Sequence, residues 1–111
     1  MSQADERALS DRLAKGDRSA LGELYSLHGS VVFAVVMRLV RDRAEAEELV
    51  QETFLEAWRR AEQYQPERAN VAAWLVTIAK SRAIDRLRAR TTVDRTLAFV
   101  GRFPGAVLSL G

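Results

Sequence analysis

At 111 residues, with 48% hydrophobic and 29% charged side chains, the chain has the size and balance of one soluble globular domain. It has no cysteine and a single histidine, His28, which excludes disulfides, thiolate metal sites and a histidine-built metal centre and fits a reducing, cytoplasmic setting. The net charge of +2 hides a split. Acids at Asp42, Glu45, Glu47, Glu48, Glu52, Glu56, Glu62 and Glu67 are opposed only by Arg43, Arg59 and Arg60. Further on, Lys80, Arg82, Arg86, Arg88, Arg90, Arg95 and Arg102 outnumber Asp85 and Asp94. Such a dipolar chain predicts two partners of opposite charge.

The polar start, carrying Asp5, Glu6 and Asp11, lacks the basic and then apolar pattern of a signal peptide. The longest apolar run, over 31–37, is far short of the roughly 20 residues that cross a bilayer, so no membrane is expected as a partner.

In chain order the pattern is helical throughout. A first helix over 4–14 has Ala8, Leu9 and Leu13 as its apolar positions, with Gly16 just past its end. Asp17 or Ser19 caps a second helix that runs to about Val40. Its apolar residues (Leu21, Leu24, Tyr25, Val31 or Val32, Val35, Val36, Leu39) recur at three- and four-residue steps, and Gly29 and Ser30 weaken its middle. Asp42 with Glu45 three residues on predicts a capping box for a third helix. The apolar stripe of that helix is Ala46, Leu49, Val50, Phe54, Ala57, Trp58 and Ala61. Residues 64–70 form a connecting loop broken at Pro66, after which Asn70 caps a fourth helix to about Ala89. Residues 91–111 hold Gly101, Pro104, Gly105 and Gly111 and keep no long period, which predicts a linker or tail with one short helix at most. The expected fold is all-α, a compact bundle of three to four helices over 1–90 with an irregular C-terminal tail over 91–111.

Few residues suggest chemistry. Glu45, Glu48, Glu52 and Glu56 step along one face opposite the apolar stripe, the pattern of a solvated or partner-facing side rather than of a paired acid and base. No Ser/His/Asp set, glycine-rich phosphate loop or EF-hand spacing is present, so no catalytic, cofactor-binding or metal-binding residue is expected. Arg82, Arg86 and Arg90 form a stripe at four-residue steps, with Lys80 and Arg88 on the same turns. Cations near a helix C-terminus gain roughly 0.3–1 kcal/mol each from the helix dipole. Five bases in so short a stretch exceed what that effect needs, and they suit nucleic-acid phosphates, whose neutralisation releases counterions. Trp58 is read as core and Trp74 as core with a partly exposed edge able to stack a base. His28 is read as a surface or interhelical residue.

The run Asp42-Arg43-Ala44-Glu45-Ala46-Glu47-Glu48-Leu49-Val50-Gln51-Glu52-Thr53-Phe54-Leu55-Glu56-Ala57-Trp58 resembles the second conserved region of bacterial sigma factors of the extracytoplasmic-function (ECF) group. So do Trp74-Leu75-Val76-Thr77-Ile78-Ala79-Lys80-Ser81-Arg82-Ala83-Ile84-Asp85-Arg86-Leu87-Arg88 and the earlier Gly16-Asp17-Arg18-Ser19-Ala20-Leu21-Gly22-Glu23-Leu24-Tyr25. The resemblance covers about 9–90.

The resemblance implies a transcription initiation factor domain, not an enzyme and without cofactor, acting in the cytoplasm. It implies that Glu48, Leu49, Gln51 and Glu52 dock on the clamp helices of the largest subunit of core RNA polymerase. It implies that residues 64–70 and the start of the fourth helix read the promoter −10 element, capturing an unpaired base of the non-template strand. Gln65, Arg68, Asn70 and Trp74 are then the candidates for that base, and Lys80, Arg82, Arg86 and Arg90 for the phosphates. An anti-sigma factor is a further implied partner. A complete member also carries a −35-reading helix-turn-helix domain; residues 91–111 do not resemble one, so that domain is expected to be absent from this chain. Two other readings compete: a helical protein-interaction module without DNA binding of its own, and a carboxylate-rich helical enzyme.

Overall fold

The computed structural model describes residues 2–102. Four helices, α1 (Gln3–Ala14), α2 (Arg18–Val40), α3 (Arg43–Arg59) and α4 (Val71–Arg102), are joined by short turns, with one 3-10 turn (Ala61–Gln63) ahead of the loop that precedes α4. The described residues contain no strand, so the all-α expectation holds.

Local chemistry sets the boundaries. Ser2 caps α1 through the Asp5 N–H, and Asp5 accepts from the Ser2 N–H in return, completing a capping box. Gly16 follows with φ of 83°, a conformation that strains any residue with a Cβ. Asp17 then caps α2 by accepting from the Ser19 N–H at 3.0 Å. Hydrogen bonds from Ser19 and then Arg12 hold the Asp17 carboxyl down at about 2. Arg41, in the left-handed region at φ 56°, ends α2, and Asp42 starts α3 by accepting from the Glu45 N–H at 2.9 Å. Only this half of the expected capping box forms: the Glu45 carboxylate reaches across to α4 instead.

The core gathers Leu9 and Leu13 of α1, Leu24, Val32 and Val36 of α2, Leu49, Val50 and Phe54 of α3, and Leu75, Ile78 and Ala83 of α4. Helix α2 is long and apolar enough by length and composition to cross a membrane, and α1, α3 and α4 all pack against it here. Gly29 does not interrupt it. A Cβ there would sit 3.4 Å from the Tyr25 ring, an ordinary packing contact, and that ring meets Phe54 edge-on at 5.2 Å. Trp58 lies at the edge of the core rather than within it.

Helix α4 departs from expectation at its end, continuing past Ala89 to Arg102. No proline or glycine interrupts it before Gly101, and Thr91, Thr92 and Thr96 donate their hydroxyls to carbonyls four residues back, at 2.9–3.0 Å. Its missing apolar period has a simple cause. Val93, Leu97 and Phe99 are more than half exposed, so among the described residues the core imposes no stripe on this stretch. The rest of the expected tail, 103–111, lies outside the described residues.

Candidate nucleic-acid and protein interfaces

The acidic and basic stripes face each other. Arg82 pairs with Glu56 at 3.1 Å and Glu52 at 3.6 Å. Arg86 reaches Glu52 and Glu48 at 3.4 Å and Glu45 at 3.9 Å, and Arg90 pairs with Glu45. Partner numbers fall along α3 as they rise along α4, as they must between antiparallel helices. The two stripes, read from the sequence as facing partners of opposite charge, also face each other and form one interlocked ladder. Periodicity within each helix revealed each stripe but could not orient one helix against the other. Glu45 lowers the free energy of the Arg90 guanidinium, raising its pKa above the usual arginine value mainly through their hydrogen bond.

The side chains left outside the ladder define what a partner can touch. On α3, Gln51 is exposed and the Glu48 side chain is 67% exposed although it pairs with Arg86. Leu49 is 1% exposed and belongs to the core, which removes it from any docking surface. It sits one residue from Glu48 but on the buried side of the helix, a distinction the apolar stripe already contained. On α4, Thr77, Lys80, Ile84 and Arg88 lie at three- and four-residue steps on the solvent face. Lys80 and Arg88 form no ion pair among the described residues.

The loop over 64–70 is tied at both ends. Tyr64 is buried, its ring 4.9 Å from that of Trp74, and its hydroxyl donates to the Ala69 carbonyl at 2.8 Å. Burial first, and then Glu6, push the Tyr64 phenol up to about 12, so it stays a protonated donor. Asn70 caps α4 as expected, its side-chain oxygen accepting from the Ala73 N–H at 2.8 Å. That bond takes the Asn70 oxygen and leaves its amide donors. Gln65, Arg68 and Asn70 are exposed, and Trp74 is half-buried. From Trp74 to Arg90 the helix advances about 24 Å, so loop and ladder are separate places on one rod.

Sequence reasoning missed Glu6. This α1 carboxylate is 7% exposed and takes the Tyr64 hydroxyl and the Val71 N–H, each at 3.2 Å. The neighbouring Arg7 pairs with Glu67 in the loop. A signal existed: Glu6, Leu9, Ser10 and Leu13 keep a three- and four-residue step, which places Glu6 on the core face of α1. Beside it a cleft lined by Gln3, His28, Pro66, Asn70 and Ala72 opens against the loop. His28 is half-buried there, and its buried Nε2 has no hydrogen-bond partner among the described residues. Burial lowers the His28 pKa, an effect that nearby Glu6 opposes.

The pattern of the sigma-70 region 2 family matches residues 24–93. The chain belongs to that family. This region 2 chain is 41% identical over 85 residues to the ECF RNA polymerase sigma factor SigK of Mycobacterium tuberculosis (strain H37Rv) and of Mycobacterium bovis (strain AF2122/97). The SigK of Mycobacterium ulcerans (strain Agy99) is 40% identical over the same length. The shared stretch is 77% of this chain and 46% of each relative, so the chain spans less than half their length. An engineered region 2 of sigmaE, solved by NMR in complex with GTAAAA, superposes with a TM-score of 0.69 at 28% identity, over 78% of this chain and 88% of that one. The region 2 match holds α3, the loop and the ladder, whereas α1 precedes it.

Proposed function

We propose that this region 2 chain docks on core RNA polymerase, at the clamp helices of the largest subunit, and recognises and helps open the promoter −10 element. The observation that carries the reading is its likeness to the sigmaE region 2 that was solved bound to GTAAAA. Docking falls to the exposed edge of α3, where Glu48, Gln51 and Glu52 offer carboxylates and an amide to partner arginines. An anti-sigma factor covering that edge would compete with polymerase. Base capture falls to Gln65, Arg68 and the free amide of Asn70, with the Trp74 edge available for stacking. The place of action is the cytoplasm, with core polymerase and the non-template strand as partners.

Phosphate contacts divide by availability. Lys80 and Arg88, already solvent-facing, meet the backbone at no cost in broken pairs. Arg82 and Arg86 must leave carboxylates, but partly exposed ion pairs are worth only about 0.2–1 kcal/mol each, a barrier that counterion release can exceed. Arg82, Arg86 and Arg90 thus join as phosphates arrive, and their release leaves Glu48 and Glu52 more negative for polymerase.

The test pairs two measurements on the full chain: retention of core RNA polymerase, and enrichment of hexamers from a randomised single-stranded DNA library. Retention lost on combined Gln51→Ala and Glu52→Ala substitution, together with an enriched hexamer, is the expected outcome. Retention unchanged by those substitutions rejects the docking surface; a library recovered without preference rejects −10 recognition.

A further inference from the structure

We infer that Glu6 is a positioning residue for DNA reading: through one buried carboxylate it fixes both ends of the 64–70 loop. The inference rests on the proposed function and adds to it a device from α1, which lies ahead of the matched region 2 residues.

A carboxylate with 7% exposure is costly unless its oxygens are hydrogen-bonded. No cation is paired with Glu6 among the described residues; its neighbour Arg7 turns to Glu67. Instead Oε2 accepts from the Tyr64 hydroxyl and Oε1 from the Val71 N–H. Tyr64 opens the loop and Val71 starts α4, so the fixed spacing of two oxygens on one carboxylate sets the distance between the loop's ends. The Val71 N–H is one of the first-turn donors that α4 cannot satisfy internally, and the positive end of the helix dipole favours a negative acceptor there. Asn70 takes a second such donor, that of Ala73. The single Tyr64 O–H is shared with the Ala69 carbonyl, the nearer acceptor at 2.8 Å, which folds the far side of the loop back on its start. Arg7 adds a tie to Glu67 at mid-loop.

With its ends and middle held to α1, the loop keeps Gln65, Arg68 and Asn70 exposed together. A loop already in that shape binds without first being ordered, and selectivity between bases depends on that order. Removal of the carboxylate strands the buried Val71 N–H and leaves the Tyr64 hydroxyl to the Ala69 carbonyl alone, so neither end of the loop is held to α1 by Glu6. Glu6→Gln keeps an acceptor for the Val71 N–H and can still hydrogen-bond the Tyr64 hydroxyl.

The experiment uses the full chain and the randomised single-stranded hexamer library, with folding followed by circular dichroism and docking by retention of core polymerase. Four variants are compared with wild type: Glu6→Ala, Glu6→Gln, Tyr64→Phe, and Leu9→Ala as a core substitution on the same face of α1. Glu6→Ala is expected to lower enrichment of the preferred hexamer about tenfold, and Tyr64→Phe about threefold, while polymerase retention persists. Glu6→Gln is expected to stay within about threefold of wild type, and Leu9→Ala to keep its preference at a temperature where it is folded. Should Glu6→Ala not fold, Tyr64→Phe, which keeps the ring against Trp74, carries the test. Wild-type preference kept by Tyr64→Phe and by folded Glu6→Ala overturns the inference alone, as does an equal loss in folded Leu9→Ala. A wild-type chain with no preferred hexamer overturns −10 recognition and the inference with it.

Discussion

The α3–α4 ladder and the α1–loop junction hold helices together by opposite means. The ladder uses many charges, each partly in water, and Arg82, Arg86, Glu45 and Glu52 each have more than one partner, so loss of one pair leaves others in place. The junction uses one buried carboxylate and two hydrogen bonds, and no other side chain ties Tyr64 and Val71 to α1 among the described residues. A redundant, solvated contact can open for a partner; a sparse, buried one keeps its geometry. The difference suits a molecule that exchanges ion pairs on one face and presents a set loop from another.

Substitutions can break this comparison, the largest effect first. Leu49→Ala should cost about 2–5 kcal/mol of unfolding free energy in urea, because it opens a cavity under the ladder. A cost below 1 kcal/mol, roughly that of a surface change, would return Leu49 to the docking surface. Glu6→Ala should cost about 1–3 kcal/mol, the penalty for stranding the buried Val71 N–H. Arg86→Gln should cost less than about 1 kcal/mol, and the cost should shrink as salt rises. If Arg86→Gln proved costlier than Glu6→Ala, the ladder and not the junction would be the rigid element. Smallest of all, Leu97→Ser should change stability by less than about 0.5 kcal/mol, since that side chain is 63% exposed.

Alkaline titration sharpens the same contrast. The Tyr64 phenol is raised from 10.0 to about 12 in the folded chain, so the unfolded chain loses this proton first. Its contribution to stability is complete below pH 10 and is lost as pH rises from about 10 to about 12. Unfolding curves of wild type and Tyr64→Phe should converge or cross in that window. Parallel curves would mean the phenol is not held by the junction.

Much of the fold was legible in the sequence because most elements begin and end on local chemistry: Asp17, Asp42 and Asn70 cap where their side chains predict, and Gly16 takes the positive φ just past α1. The end of α4 was not, since Val93 and Leu97 there are more than half exposed and so carry no period to read. At the candidate site, residue types were legible but relations were not. Arg86 and Glu48 are separated along the chain, and only the antiparallel packing of α3 on α4 brings them together. Leu49 was misassigned by treating neighbours in sequence as neighbours in space. Glu6 escaped notice because an acid in a short helix is ordinarily solvated, and its apolar-face position was the sole clue.

Backbone amide shifts of the labelled full chain, titrated with the single-stranded hexamer it retains best, test the central claim most directly. The account expects the largest changes at residues 64–71 and along the Thr77, Lys80 and Ile84 face of α4, with little change at Leu27 and Val31 on the outer side of α2. Shifts that spare 64–71 and Lys80 would contradict it.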